Sequence, residues 1–478
     1  MLKEIWVISM HGNLENFDEK KKKVVIFGRG CIYRRYREKI FNTLEVIAFI
    51  DNQCKETGML EDGIPVYPPA SIHNLEYDKI LLMSASAFEM KNQLVKLNVA
   101  IDKMIHYKEV ESYLLYHTYN PLEEIDVESN SVLLLSTPVG YHGGAIALLN
   151  MAKIYLSLGY QVVVHAKTIN KEFQKEYAAE NLYFIEGFEC ELYSKSNYKE
   201  YRKFKYIVVN TVPLILFAIN LSKYREVFCW IHESKNVYQN MDKFWKDDII
   251  SKTKNKNLKI FAVSELSKQN FEDYVGEFRE DIKILNYGLE ENIVGKEKKS
   301  VLTFAIIGTI YPLKQQVEFL VAYSKLSEKE KAMSRVFIIG KNDDDIYYAK
   351  LKKIACNLST VTIMPELTRK MLRDIYKLID IVAIPSKQES LPIVAVEAMM
   401  NDRYVILTKN SGLTSYINDT TGVRFIDPFN IDDIKDALKF CLKEKNEILK
   451  RAENNNKIFR KFFSYEKIMK NMTTYGLL

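Results

Sequence analysis

The sequence predicts a parallel α/β protein with three sheets, and three observations carry the prediction. Short runs of β-branched and aliphatic residues recur along the chain, for example at 24–27, 132–135 and 303–307. Longer stretches with helical apolar spacing separate them, and glycine follows each of these runs, at Gly28, at Gly143 and Gly144, and at Gly308. Strands alternating with helices form parallel sheets with helices on both faces. At 478 residues, two to four domains are expected from the usual size of about 100–200 residues each. Hydrophobic residues at 47% and charged residues at 27% suffice for a core in each, which excludes a mainly disordered chain.

Taken in order, the first block opens with a strand at 24–27, continues through a helical stretch to a strand at 46–50 ending in Asp51, and adds a run at 79–83. Polar residues around 120–130 read as its exit linker. The second block begins at 132–135, turns through Gly143 and Gly144 into a helix over 145–158 stopped by Gly159, and adds strands at 162–164, 206–209, 227–231 and 260–263. The charged segment 290–299 reads as a hinge. The third block repeats the alternation at 303–307, 336–339, 381–384 and 404–407. The expected domains are therefore 1–128, 129–292 and 293–478. Residues 431–472, rich in Lys and Asn, predict one or two amphipathic helices packed on their own domain, with contact at a membrane surface the less favoured reading.

Several function classes are excluded by composition. The net charge of +6, from 68 Lys+Arg against 62 Asp+Glu, is too mild for a dedicated nucleic-acid binder. Cys31, Cys54, Cys190, Cys229, Cys356 and Cys441 lie far apart without a C-x-x-C pair, so they read as buried thiols in a reducing compartment and not as a zinc site. Residues 1–10 lack the apolar length of a secretory leader. The apolar stretch 206–221, broken by Asn210, Thr211 and Pro213, falls short of the roughly 20 residues of a membrane span. A cytoplasmic location is expected, with any membrane contact peripheral and at the inner face.

The sharpest chemical signal follows the strand at 381–384, in the run from Pro385 through Glu389-Ser390-Leu391-Pro392 to Glu397. A strand feeding a loop and then a helix places the helix N-terminus at the carboxyl edge of the sheet, where such sheets bind ligands. Ser390 is expected as N-cap and Pro392 in the first turn, with Glu389 in the loop just ahead and Glu397, eight residues on, roughly two turns into the helix. Glu397 stands in an otherwise apolar helix, so its carboxylate has to be paired or bound to a ligand. Earlier, Gly308-Thr309-Ile310-Tyr311-Pro312-Leu313-Lys314 follows a strand, with glycine allowing close approach to a diphosphate and Lys314 neutralising it. Gly143 and Gly144 leave backbone N–H groups free to face an anion or a sugar. His232 and Ser264-Glu265 end two further strands. Asp343-Asp344-Asp345 reads as a helix cap in preference to a metal site.

The Glu389 to Glu397 run resembles the E-x7-E motif of the family 4 retaining glycosyltransferases, whose fold, GT-B, has two facing Rossmann-like domains. The resemblance covers about 131–478 and is strongest over 303–422. It implies that Glu389 contacts the donor sugar, with Ser390 and Leu391 beside it, and that Glu397 contacts the nucleotide ribose. Gly308, Thr309 and Lys314 would meet the diphosphate, although Thr309 and Leu313 replace positions that are frequently arginine and so leave fewer cations there. His232 resembles a histidine facing the donor sugar, Gly143 and Gly144 the glycine-rich first loop, and Asn410-Ser411-Gly412-Leu413 a glycine-containing turn. The resemblance implies a metal-independent retaining hexosyltransferase with a UDP- or GDP-sugar donor, no cofactor, and a glycan or lipid-linked acceptor in polysaccharide biosynthesis.

The first block, through Phe49-Ile50-Asp51-Asn52 and Gly63-Ile64-Pro65-Val66, looks like the Rossmann-like domains attached to sugar acetyltransferases and nucleotide-sugar modifying enzymes. Gly28, Gly30 and Asp51 have the spacing of a dinucleotide fingerprint, with Tyr33 at its third glycine position. A docking or regulatory domain is favoured over a nucleotide site there. Two rivals remain at this stage, an NAD-dependent nucleotide-sugar modifying enzyme centred on those residues and a non-catalytic scaffold that keeps the glycosyltransferase fold.

Overall fold

The computed structural model describes residues 22–54, 58–107, 110, 125–187, 201–241, 246–297, 299–417 and 422–478. Three sheets form in chain order. The first runs Leu60–Glu61, Ile64–Tyr67, Glu45–Ile50, Lys23–Phe27, Lys79–Leu82, Met104–His106 across its width, and only the short edge strand Leu60–Glu61 is antiparallel to its neighbour. The second, wholly parallel, runs Lys283–Ile284, Leu258–Ala262, Val227–Ile231, Tyr206–Asn210, Ser131–Ser136, Gln161–Ala166, Leu182–Glu186. The third, also parallel, runs Val361–Met364, Ser334–Ile339, Leu302–Ile307, Ile381–Ile384, Tyr404–Thr408, Val423–Ile426.

Central strands such as Ser131–Ser136 and Ile381–Ile384 are buried along their whole length, which is why they read as continuous apolar runs and not as alternating ones. In each sheet the first strand lies in the interior, with the second strand on one side and a later strand on the other. The order reverses there, so the loops leaving the carboxyl ends diverge and open a crevice. That crevice falls between Ser131–Ser136 and Tyr206–Asn210 in the second sheet, and between Leu302–Ile307 and Ile381–Ile384 in the third.

The C-terminal stretch departs from expectation. It forms four helices, Ile431–Lys443, Lys445–Ala452, Asn455–Phe463 and Tyr465–Thr474, because Ser464 is extended and caps the last one. Their apolar faces are spent inside the protein, with Phe459, Phe463, Ile468 and Met472 buried. The last helix reaches back to the second unit, where the Tyr465 hydroxyl donates to Asn150 Oδ1 at 2.6 Å and the Tyr155 hydroxyl to the Leu477 carbonyl at 2.8 Å. The stretch 206–221 is a buried strand, a 3-10 turn and a short helix. Among the described residues no helix is long and apolar enough to cross a membrane. The cysteines are not uniformly buried as expected, since Cys31 and Cys356 are exposed while Cys54, Cys229 and Cys441 are inside. Cys190 lies outside the described residues, as do residues 1–10 and part of the expected exit linker.

Candidate functional site

The third unit builds one wall of a cleft. After Leu302–Ile307 the chain turns at Gly308, whose φ of 144° lies in the region that favours glycine. Gly340 passes so close that a Cβ on it would fall on the Gly308 carbonyl. Gln316 Nε2 donates to the Thr309 carbonyl at 2.9 Å and fixes the loop that carries Lys314. Lys314 Nζ lies 2.5 Å from Glu389 Oε1. Burial works against the ammonium, but the Glu389 carboxylate and the Tyr311 phenol outweigh it and hold the Lys314 pKa above its ordinary value.

The Glu389 loop is held by backbone bonds on both sides: its N–H donates to the Asn410 carbonyl at 3.0 Å, and its carbonyl accepts from the Gly412 N–H at 2.9 Å. The Ser264 hydroxyl, from the second unit, donates to the Ser390 carbonyl at 2.7 Å. A Cβ on Gly412 would fall on that same carbonyl and on the Ser264 side chain, which explains glycine in this turn. One detail of the sequence reading is corrected here. The helix Ile393–Met400 has Pro392, not Ser390, at its N-cap, with no side-chain cap. Glu389 lies in the loop ahead of the helix, as expected, and Glu397 sits in the second turn.

The second unit builds the facing wall. His142 caps the helix Gly143–Ser157 by accepting the Ala145 N–H on Nδ1, which leaves the proton on Nε2 facing the Pro138 carbonyl at 2.7 Å. A Cβ on Gly143 would meet nothing within 4 Å, so packing does not demand glycine there. The His232 ring lies edge-on to Trp230 at 4.4 Å between centroids. Burial, with the neighbouring His142 adding to it, pushes the His232 pKa down to about 3, so the ring is neutral at physiological pH. His232 Nε2 is buried and finds no hydrogen-bond partner among the described residues. Glu233 is buried, and its carboxylate accepts the His232 N–H at 2.7 Å. Burial, partly opposed by backbone donors, raises its pKa to about 7. Thr211 also lines the cleft, at a strained φ of 94°.

Between the walls lies a cavity of about 430 Å³, within the range of about 300–1,000 Å³ usual for small-molecule sites. It brings together Gly143, Gly144, His232, Gly308, Thr309, Lys314, Glu389, Ser390 and Leu391. Contacts between the two units include Lys235 N–H to Gln388 Oε1 at 2.8 Å and Arg369 N–H to Glu176 Oε2 at 2.9 Å. Glu397 is not in this wall. Its side chain, 3% exposed, pairs with the Arg369 guanidinium through Oε1, while Oε2 is buried without a hydrogen-bond partner among the described residues. It lines an adjoining cavity of about 340 Å³. Sequence reasoning missed Arg369, which lines both cavities, and left Glu233 without a role beside His232. An acid beside His232, two residues past an apolar strand, was the available signal for Glu233, whereas Arg369 sits in an ordinary charged run.

In the first unit Gly28 has a φ of 94° and Gly30 caps the helix Cys31–Thr43. The Asp51 carboxylate, which a dinucleotide would need for its ribose, is instead held by Arg29 at 3.1 Å, and Arg29 also reaches Glu61 at 2.9 Å. Tyr33 is fully buried, edge-on to Phe49, with its hydroxyl on Asp62. A packed phenol thus fills the place where the fingerprint brings helix and strand together. Asp344 caps the helix Asp345–Ala355 by accepting the Tyr347 N–H at 2.8 Å, as its sequence context predicts.

This arrangement, a cleft between two parallel sheets opening at both switch points, defines the GT-B class. Among solved structures, Anabaena Alr3699/HepE in complex with UDP-glucose superposes with a TM-score of 0.61 at 16% identity, covering 73% of this chain and 100% of that one. WaaG, a glycosyltransferase involved in lipopolysaccharide biosynthesis, gives 0.57 at 16% identity, covering 71% and 98%. At such identities the likeness shows the fold, to which this chain adds a preceding parallel α/β sheet. Residues 290–459 match the family model for glycosyl transferases group 1, and residues 20–105 match the C2185-like N-terminal model. The D-inositol 3-phosphate glycosyltransferase of Rhodococcus opacus is 30% identical over 156 residues, 31% of this chain and 34% of that protein. The lipopolysaccharide 1,2-N-acetylglucosaminetransferase of Salmonella typhimurium is 27% identical over 169 residues, 33% of this chain and 44% of that protein. The chain therefore spans about a third of the first relative and less than half of the second. The family match thus falls on the third unit, and the likeness to the solved structures is one of fold.

Proposed function

We propose that the protein is a retaining, metal-independent glycosyltransferase that moves a hexosyl group from a UDP- or GDP-sugar to a hydroxyl of a glycan or lipid-linked glycan in cell-surface polysaccharide synthesis. The observation that carries this reading is the Lys314–Glu389 pair at the switch point of the third sheet, facing His232 and Gly143 across the cleft. Residues 293–478 bind the donor and 129–292 the acceptor, and 1–128 serve as a docking or regulatory domain. The enzyme works in the cytoplasm, meeting a lipid-linked acceptor at the inner face of the membrane.

The diphosphate lies against the Gly308 loop, where Lys314 balances the charge that grows as the leaving group departs. Glu389 orients the sugar. Neutral His232 serves as a hydrogen-bonding group, since a cation beside the oxocarbenium-like centre would oppose the reaction. Opposite Glu389 no side chain is assigned as nucleophile, so transfer proceeds on one face. The bond from the anomeric carbon to the diphosphate breaks, the acceptor oxygen bonds to that carbon from the same side, and the acceptor proton passes to the departing phosphate.

The test is to incubate the intact protein with UDP- and GDP-sugars and candidate acceptors, and to read the product anomer by NMR. Retention of the donor's configuration, lost in Glu389→Gln, is the expected result. An inverted product overturns the stereochemical assignment, and undiminished turnover in Glu389→Gln overturns the role of that residue.

A further inference from the structure

Lys314 and Arg369 are the two permanently charged cations among the described side chains that line the larger cavity. Lys314 is committed to Glu389. The loop beside it has Thr309 and Leu313 where a second cation would be useful, yet a nucleoside diphosphate brings more negative charge than one ammonium balances. Arg369 is placed to supply the difference. Its backbone N–H is anchored to Glu176 at 2.9 Å, so its long side chain can pivot about a fixed point. Arg369 lines both cavities and its side chain is 29% exposed, whereas the Glu397 side chain it pairs with is 3% exposed. That carboxylate is also incompletely satisfied, because Oε2 is buried with no hydrogen-bond partner among the described residues. A buried carboxylate with one oxygen bare is suited to take hydroxyl donors from a ligand in place of the arginine.

We propose that Arg369 is a second cation for the donor diphosphate, held by Glu397 while the cleft is empty and turned onto the phosphates as the donor binds. Glu397 is then free to accept from hydroxyl groups of the nucleoside. The inference rests on the donor-binding reading above and adds a residue to it. Guanidinium suits the task, since its planar fork meets phosphate oxygens in pairs. Arg369 exchanges one anion for another, and the buried carboxylate it leaves is held by the hydroxyl donors of the nucleoside.

The test compares the affinity of the intact protein for UDP with that for uridine, and for GDP with that for guanosine, by calorimetry. In Arg369→Ala/Glu397→Gln, which removes both charges and so avoids a buried unpaired carboxylate, the diphosphate-over-nucleoside ratio is expected to fall tenfold or more. A role in shaping the nucleoside pocket alone would lower both affinities equally and leave the ratio unchanged, and that result overturns the proposal. Independently of any variant's folding, the Arg369 Nε–H resonance of the wild-type protein is expected to shift with UDP and not with uridine. Equal shifts, or none, overturn it as well. Lys314→Ala separates the two levels. If it lowers the ratio while the Arg369 variant does not, the inference falls and the donor site stands; if wild type binds neither nucleotide, the donor site falls and takes the inference with it.

Discussion

Removing the Lys314 ammonium tests the electrostatics of the cleft. The pair with Glu389 is 2.5 Å long, with side chains 27% and 12% exposed, so it is shielded from water but not sealed from it. A charge-assisted hydrogen bond in such a setting is worth about 1.5–3 kcal/mol, which predicts a donor affinity about 10- to 150-fold weaker in Lys314→Ala. A second effect adds to the first. Without its lysine, Glu389 faces the diphosphate as an uncompensated anion, so Lys314→Ala/Glu389→Gln should bind the bare nucleoside diphosphate more tightly than Lys314→Ala does. The assay is calorimetric titration with UDP and GDP and their sugars at fixed ionic strength, since screening changes such values. Because the Lys314 pKa is raised, the difference should not vary between neutral pH and pH 9. Binding by Lys314→Ala within about threefold of wild type, less than 1 kcal/mol, would refute the reasoning.

Gly412→Ala should cut turnover by at least about tenfold, because its methyl group would displace the Ser390 carbonyl and with it the Glu389 loop; a fully active variant would show that the loop tolerates the shift. Glu233 supplies a pH dependence of stability. Its folded pKa of about 7 lies above the unfolded value, so the folded state binds the extra proton and stability falls as pH rises from about 4.5 through 7. Glu233→Gln should flatten that part of the curve in urea unfolding at pH 5 and pH 8, and an unchanged slope would contradict it. His232, with a pKa of about 3, should add no limb to the pH–rate profile between pH 5 and 8, so His232→Gln should lower kcat while leaving the shape of the profile intact. A limb that disappears with the substitution would mean that the ring titrates in that range.

Much of the site was legible because strand ends are legible. Buried parallel strands write themselves as apolar runs, and residues of the loops that leave them, Gly308, His232 and Glu389, fall at the cleft. Glu397 stood out by the opposite logic, as a lone acid in an apolar helix, and it is indeed buried. What it touches was not readable, since Arg369 comes from another helix and the pairing depends on how that helix packs. The Ser390 cap failed because the helix starts only after Pro392, while the Ser264 hydroxyl, 126 residues away in sequence, fixes the Ser390 carbonyl in the loop. The third glycine position of the first unit pointed away from a dinucleotide, but the engagement of Asp51 by Arg29 needed the fold to be seen. In the C-terminal stretch the amphipathic pattern was correct, and the number of helices depended on short breaks around Glu444 and Ser464 that periodicity does not mark.

The central claim is that the cleft beside Lys314 and Glu389 binds a nucleotide-sugar. Its most direct measurement is titration of the intact protein with a panel of UDP-, GDP- and ADP-sugars, with Glu397→Ala alongside. The account predicts that a UDP- or GDP-sugar binds and that the substitution weakens it about tenfold or more, roughly 1.4 kcal/mol. Binding of none of them would contradict it and favour a scaffold that has kept the fold without the transfer.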